Sequence, residues 1–189
     1  MRRVSLLAAL VLPLAACGSG GPTVSATNAS AAEVEAKVAA ANSGGDMISP
    51  GRWEGSMTMH DMQMPNMDKL PPAVRDKMMA RMAAGKPFVS CVTEEEIKAR
   101  HGIFTGNDAN KSCRYDHFTM AGGKIDSAMS CDMPTAKMAM KMTGTYAPDS
   151  YHMDAATTTT GAGAAGGLSM SMTIEAKRVG ACHGTPDEH

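Results

Sequence analysis

"CRYDHFTMAGGKIDSAMSC", from Cys113 to Cys131, contains two strand-like runs that meet at Ala121-Gly122-Gly123. The glycines suit a three-residue hairpin loop, which needs a residue in the left-handed region. Counting back from that loop sets Cys113 opposite Cys131, where facing side chains come within bridging reach. The stretch therefore specifies antiparallel pairing and a disulfide together.

Outward from the hairpin, the pattern continues as a meander: Lys124 to Asp132 is followed by Ala136 to Tyr146, Tyr151 to Thr157 and Leu168 to Arg178. Short turns such as Ala147-Pro148-Asp149-Ser150 separate most of these runs, and none leaves room for a βαβ crossover. The low-complexity "TTTTGAGAAGG", Thr157 to Gly167, reads as a long mobile hairpin tip.

On the N-terminal side, "PGRWEGSMTM" alternates, with Trp53, Gly55, Met57 and Met59 on one face, and predicts a half-buried first strand. Trp53 is expected to anchor the core there. Pro71-Pro72 opens a helix whose Val74, Met78, Met79 and Met82 recur at helical spacing until Gly85. "PFVSCV" is a short strand. Thr93 then caps a second helix, with Glu94, Glu95 and Glu96 in its first turn, where the helix dipole favours negative charge. The expected fold class is α+β, a curved antiparallel meander of about seven strands packed on one or two helices.

Two further cysteines, Cys91 and Cys182, lie outside the hairpin. With Cys113 and Cys131 assigned to each other, they form a second bridge, tying an early strand to the end of the chain. Loop-closure entropy gives about 3 kcal/mol for the short loop and about 4 to 5 kcal/mol for the long one. A Cys/His metal or redox site would call for a Cys-x-x-Cys spacing, which is missing.

The first residues, "MRRVSLLAALVLPLAAC", place Arg2 and Arg3 before an apolar run, small residues and Cys17. This is the pattern of a signal peptide. Leu14-Ala15-Ala16-Cys17 resembles the bacterial lipobox, so residues 1–16 are expected to be removed and Cys17 to carry lipid, two or three acyl chains making a lasting anchor. Gly18 after the cysteine favours the outer membrane, facing the periplasm. Residues 17–47 are rich in Ala, Ser, Gly and Asn and read as a flexible lipid-anchored tether. Ser30 and Glu33 have capping-box spacing, and the helix they begin would have little apolar surface to dock. A single domain over residues 48–183 and a disordered tail over 184–189 complete the chain.

Composition narrows the function classes. Eighteen Lys and Arg face nineteen Asp and Glu, interspersed, with no basic patch to suggest nucleic acid. There is no Gly-x-Ser-x-Gly, no His-Glu-x-x-His and no phosphate loop. The six histidines fall one per segment, at His60, His101, His117, His152, His183 and His189, so no catalytic constellation is expected. His183, Asp187, Glu188 and His189 in the tail offer adventitious chelation.

Methionine occurs 19 times, whereas leucine occurs beyond the leader only at Leu70 and Leu168. Methionine has taken leucine's place as core filler, at alternate positions such as Met138, Met140 and Met142. Met57 and Met59 belong to the core by the same alternation. His60, Met62, Met64 and Met67 remain as a candidate ligand set for Cu(I), three thioethers and an imidazole in a flexible loop.

Pro50-Gly51-x-Trp53, Cys91 with Thr93, the Cys113/Cys131 hairpin, Gly144 and Lys177-Arg178-x-Gly180-x-Cys182 together resemble the domain of unknown function 3617 family, from Ile48 to Cys182. The resemblance implies a small exported proteobacterial envelope protein, often a lipoprotein, and carries no established activity. The expected role is a non-catalytic binding module for an envelope protein or an apolar ligand. The alternative is a Cu(I) handler.

Overall fold

Strands β4 (Cys113–Ala121) and β5 (Lys124–Met133) pair antiparallel with Cys113 opposite Cys131, but the register arrives there by another route. Gly122 and Gly123 have φ of 57° and 73°, and Ala121 faces Lys124, so the turn has two residues in place of three. Turns of this hand match the right-handed twist of the strands, and glycine adopts them without steric cost. On that register Cys113 would overshoot Cys131 by one position. A bulge between Tyr115 and His117 restores it, and the disulfide closes with a Cα separation of 4.0 Å.

The computed structural model describes residues 22–41, 47–65, 67–99, 112–161, 167–186 and 188. Strands β6 (Ala136–Ala147), β7 (Ser150–Gly161) and β8 (Leu168–Gly180) continue the meander. β2 (Gly51–Gln63) then pairs with β8, and β3 (Lys86–Val92) forms the edge beyond it. β1 (Val24–Ser30) adds to the opposite edge through β4, giving one eight-stranded sheet in the order β1-β4-β5-β6-β7-β8-β2-β3, antiparallel throughout. The α+β class holds, with one strand more than expected.

Within residues 17–47, read as a flexible tether, that extra strand and the helix after it correct the reading for residues 24–41. β1 and α1 (Ala31–Ala41) are docked elements of the fold. The capping box is present: the Ser30 amide donates to Glu33 Oε2 at 2.7 Å, and the Glu33 amide donates to Ser30 Oγ at 3.2 Å. Val34 and Val38, one turn apart, are wholly buried with Phe118 and Met120. Two valines at this spacing suffice because α1 packs over β1 and β4, where small alanines let it approach closely.

Helices α2 (Pro72–Ala83) and α3 (Glu94–Ala99) fall where the sequence puts them. The Glu96 amide donates to Thr93 Oγ1 and the Thr93 amide to Glu96 Oε2, so the acidic triplet contains a reciprocal cap. Trp53 is 1% exposed, donates its indole N–H to the Ser49 carbonyl at 3.1 Å and stacks on Tyr151 at 5.7 Å. Gly144 is needed opposite Met153, whose sulfur would lie 2.5 Å from any Cβ placed there.

Both ends of the domain are tighter than expected. Thr157 to Gly161, read as part of a mobile tip, extend β7 in register with β6, and Thr159 is buried. In the tail read as disordered, Glu188 accepts the amides of His183 and Gly184 and the Arg52 guanidinium at 2.9 Å. These contacts hold its carboxyl at a pKa of about 2, the His183 amide contributing most. The Cys91–Cys182 bridge, 91 residues apart in sequence, lies just before this clasp. Among the described residues no helix is long and apolar enough to cross a membrane.

Candidate functional site

Strand alternation gives the sheet two unlike faces. One contains Trp53, Tyr146, Met153 and Ala176 at the end where the core is closed. Farther along the same face the register lines up methionines from strand to strand. Met129 faces Met140, Met140 faces Thr157, Thr157 faces Met170, and Met170 faces Met62. The adjoining row runs Ser127, Met142, Ala155, Met172 and Met59. Every methionine in the two rows is half-buried, so the belt spans five strands without being sealed from solvent.

Met59 and Met62 belong to this belt, whereas Met57, expected in the core, is 39% exposed. β2 runs on to Gln63, with a bulge between Met59 and Asp61. A bulge sets two residues against one on the partner, so His60 and Asp61 both share the face of Thr173 and Ser171 while Met62 returns to the methionine face. His60 and Met62 thus diverge across the sheet. Met64 is exposed and Met67 lies in a short 3-10 turn, Met67–Lys69. The set His60, Met62, Met64 and Met67 is not gathered around one point, because its first half is strand and not flexible loop.

The second face is polar and hydrogen-bonded across β2, β8 and β7. Thr173 donates its hydroxyl to Asp154 Oδ1 at 2.6 Å, leaving the Thr173 oxygen to accept from His60 Nε2, also at 2.6 Å. His152 Nε2 stands 3.5 Å from Asp154 Oδ2, and His152 Nδ1 stands 3.8 Å from Glu175 Oε2. Ser56 donates to the other Glu175 oxygen at 3.4 Å. The Thr173 hydroxyl, with the two imidazoles adding, keeps the Asp154 carboxyl below its usual range. Beside this network lies an open groove of about 610 Å³, lined by Glu54, Ser56, Thr145, His152, Glu175 and Lys177 among others. Sequence reasoning named His60 and His152 but not Asp154, Thr173 or Glu175. The one local signal is His152-x-Asp154, since residues two apart on a strand share a face.

The remaining expected sites are quickly placed. Cys17 and His101 lie outside the described residues, as do Asp187 and His189. Both disulfides join the expected partners, Cys113 with Cys131 and Cys91 with Cys182. His117 pairs with Asp126 at 2.6 Å on the polar face.

The fold and its two bridges define a disulfide-tied α+β protein built on one open antiparallel sheet. A family model described as Protein of unknown function (DUF3617) matches residues 48–182, and the chain belongs to that family. Neither a curated protein nor a solved structure matches the chain. β1 and α1 precede the matched region, so they cap a β4 edge that lies within it.

Proposed function

We propose that the protein is a non-catalytic binding module of the bacterial envelope, held to the outer membrane on its periplasmic side by lipid on Cys17, and that its methionine face takes an apolar ligand. The observation that carries this reading is the half-buried methionine belt across β5, β6, β7, β8 and β2. Unbranched thioethers repack around varied apolar shapes, and contiguous apolar surface left open to water is a recurrent mark of binding. The address rests on the charged, apolar and lipobox segments of residues 1–17, and disulfides accord with an oxidising compartment.

Two measurements test the proposal. Cys17→Ser should move the protein from the detergent phase to the aqueous phase. Retention of the serine variant in detergent would refute the anchor. Purified protein should enhance the fluorescence of an apolar naphthylamine probe, and Met140→Gln with Met172→Gln should abolish the enhancement while the near-ultraviolet dichroism stays native. Equal enhancement in the variant, or none in the wild type, would overturn the ligand face.

A further inference from the structure

The hydrogen-bonded row on the polar face has the donor types of a metal centre, whose ligand atoms are not all within 4.8 Å of one another before an ion is bound, and it lies opposite the proposed apolar site. We propose that His60, His152 and Asp154 form a site for a borderline divalent transition-metal ion such as Zn²⁺, with Glu175 orienting His152.

The donor set is two imidazoles and a carboxylate, which suits Zn²⁺ or Cu²⁺ far better than Ca²⁺ or Mg²⁺. His60 Nε2 and Asp154 Oδ1 both lie 2.6 Å from the Thr173 hydroxyl, so they are no more than twice that distance apart. His152 Nε2 approaches the other Asp154 oxygen at 3.5 Å. Neighbouring donors around a tetrahedral Zn²⁺ with bonds of about 2.0 to 2.1 Å stand roughly 3.3 Å apart. The His152–Asp154 pair already has this spacing. His60 reaches it by rotating towards Asp154 as the ion displaces the Thr173 hydroxyl from between them. All three side chains are at the surface, so the rotation meets little packing.

Support behind the donors follows a recurrent pattern. A metal-bound imidazole is usually steadied through its other nitrogen by a carboxylate. Glu175 stands 3.8 Å from His152 Nδ1 and is itself held by Ser56. The donors project from β2 and β7 on either side of β8, a scaffold of three paired strands. The β2 bulge also turns Asp61 to this face, adding negative charge beside the cation. His152 and Glu175 line the groove of about 610 Å³ as well, so an ion here keeps positions open to a small polar ligand.

The test is a Zn²⁺ titration of chelator-stripped full-length protein against a chromophoric competitor. It is run on wild type, His60→Gln, His152→Gln, Asp154→Asn and a tail variant, His183→Gln with His189→Gln. Trp53 fluorescence checks that each is folded. We expect one Zn²⁺ per wild-type chain, weakening of roughly tenfold or more in each of the three polar-face variants, and no change in the tail variant. Binding that survives all three substitutions, binding lost only with the tail histidines, or no competition at all would each overturn the site.

Discussion

Glu188 fastens the end of the chain with one carboxylate. It gathers the amides of His183 and Gly184 and the guanidinium of Arg52, and its side chain is 2% exposed. Its pKa in the folded protein, about 2, lies below the ordinary 4.5, so the folded state favours the ionised form. A depressed carboxyl stabilises the fold above its unfolded pKa, and that contribution fades as pH falls from 4.5 towards 2. Urea midpoints measured across this window should therefore fall in the wild type by a step that Glu188→Gln lacks, since glutamine never gains the charge. Parallel profiles for the two proteins would show that the clasp contributes nothing to stability.

At the scale of elements, α1 offers the clearest check, because Val34 and Val38 are its largest buried side chains. Val34 is 0% exposed, and truncating it to alanine removes two methyl groups and leaves a cavity over Phe118. Val34→Ala should lower the unfolding free energy by roughly 2 kcal/mol in equilibrium denaturation. A helix that merely frays on a tether would show almost no change. The same element marks where sequence reading stopped short. Its capping box was legible in Ser30 and Glu33, as was that of Thr93 and Glu96, because caps are local chemistry. β1 was not legible: "VSATNAS" is as small and polar as a linker, and its pairing with β4 depends on partners some ninety residues away. The meander was readable nearly end to end, since each strand pairs with its neighbour in sequence. Bulges were not, and both proved decisive, one restoring Cys113 to Cys131 and the other parting His60 from Met62. The polar row escaped notice for a related reason. Asp154 and His60 are brought together by Thr173, a link only the register of three strands reveals.

For the whole molecule, the strand order separates near partners from distant ones. The Cys113–Cys131 loop spans 18 residues and the Cys91–Cys182 loop 91, so closing the longer costs about 1.4 kcal/mol more in chain entropy. Oxidative refolding from the reduced, unfolded chain should therefore accumulate Cys113–Cys131 first, as acid trapping and peptide mapping would show. Early dominance of Cys91–Cys182 would instead mean that the sheet assembles from its far edge. The position of β2 between β8 and β3 has a consequence for biosynthesis. A ribosome makes β2 and β3 long before β8, yet among the described strands β8 is the neighbour that β2 has on its side away from β3. An isolated two-stranded pair is marginal in water, so the unfolded chain presents Trp53 and its flanking methionines to any chaperone until β8 pairs with β2. Arrival of β8 is then the event that hides Trp53 from solvent.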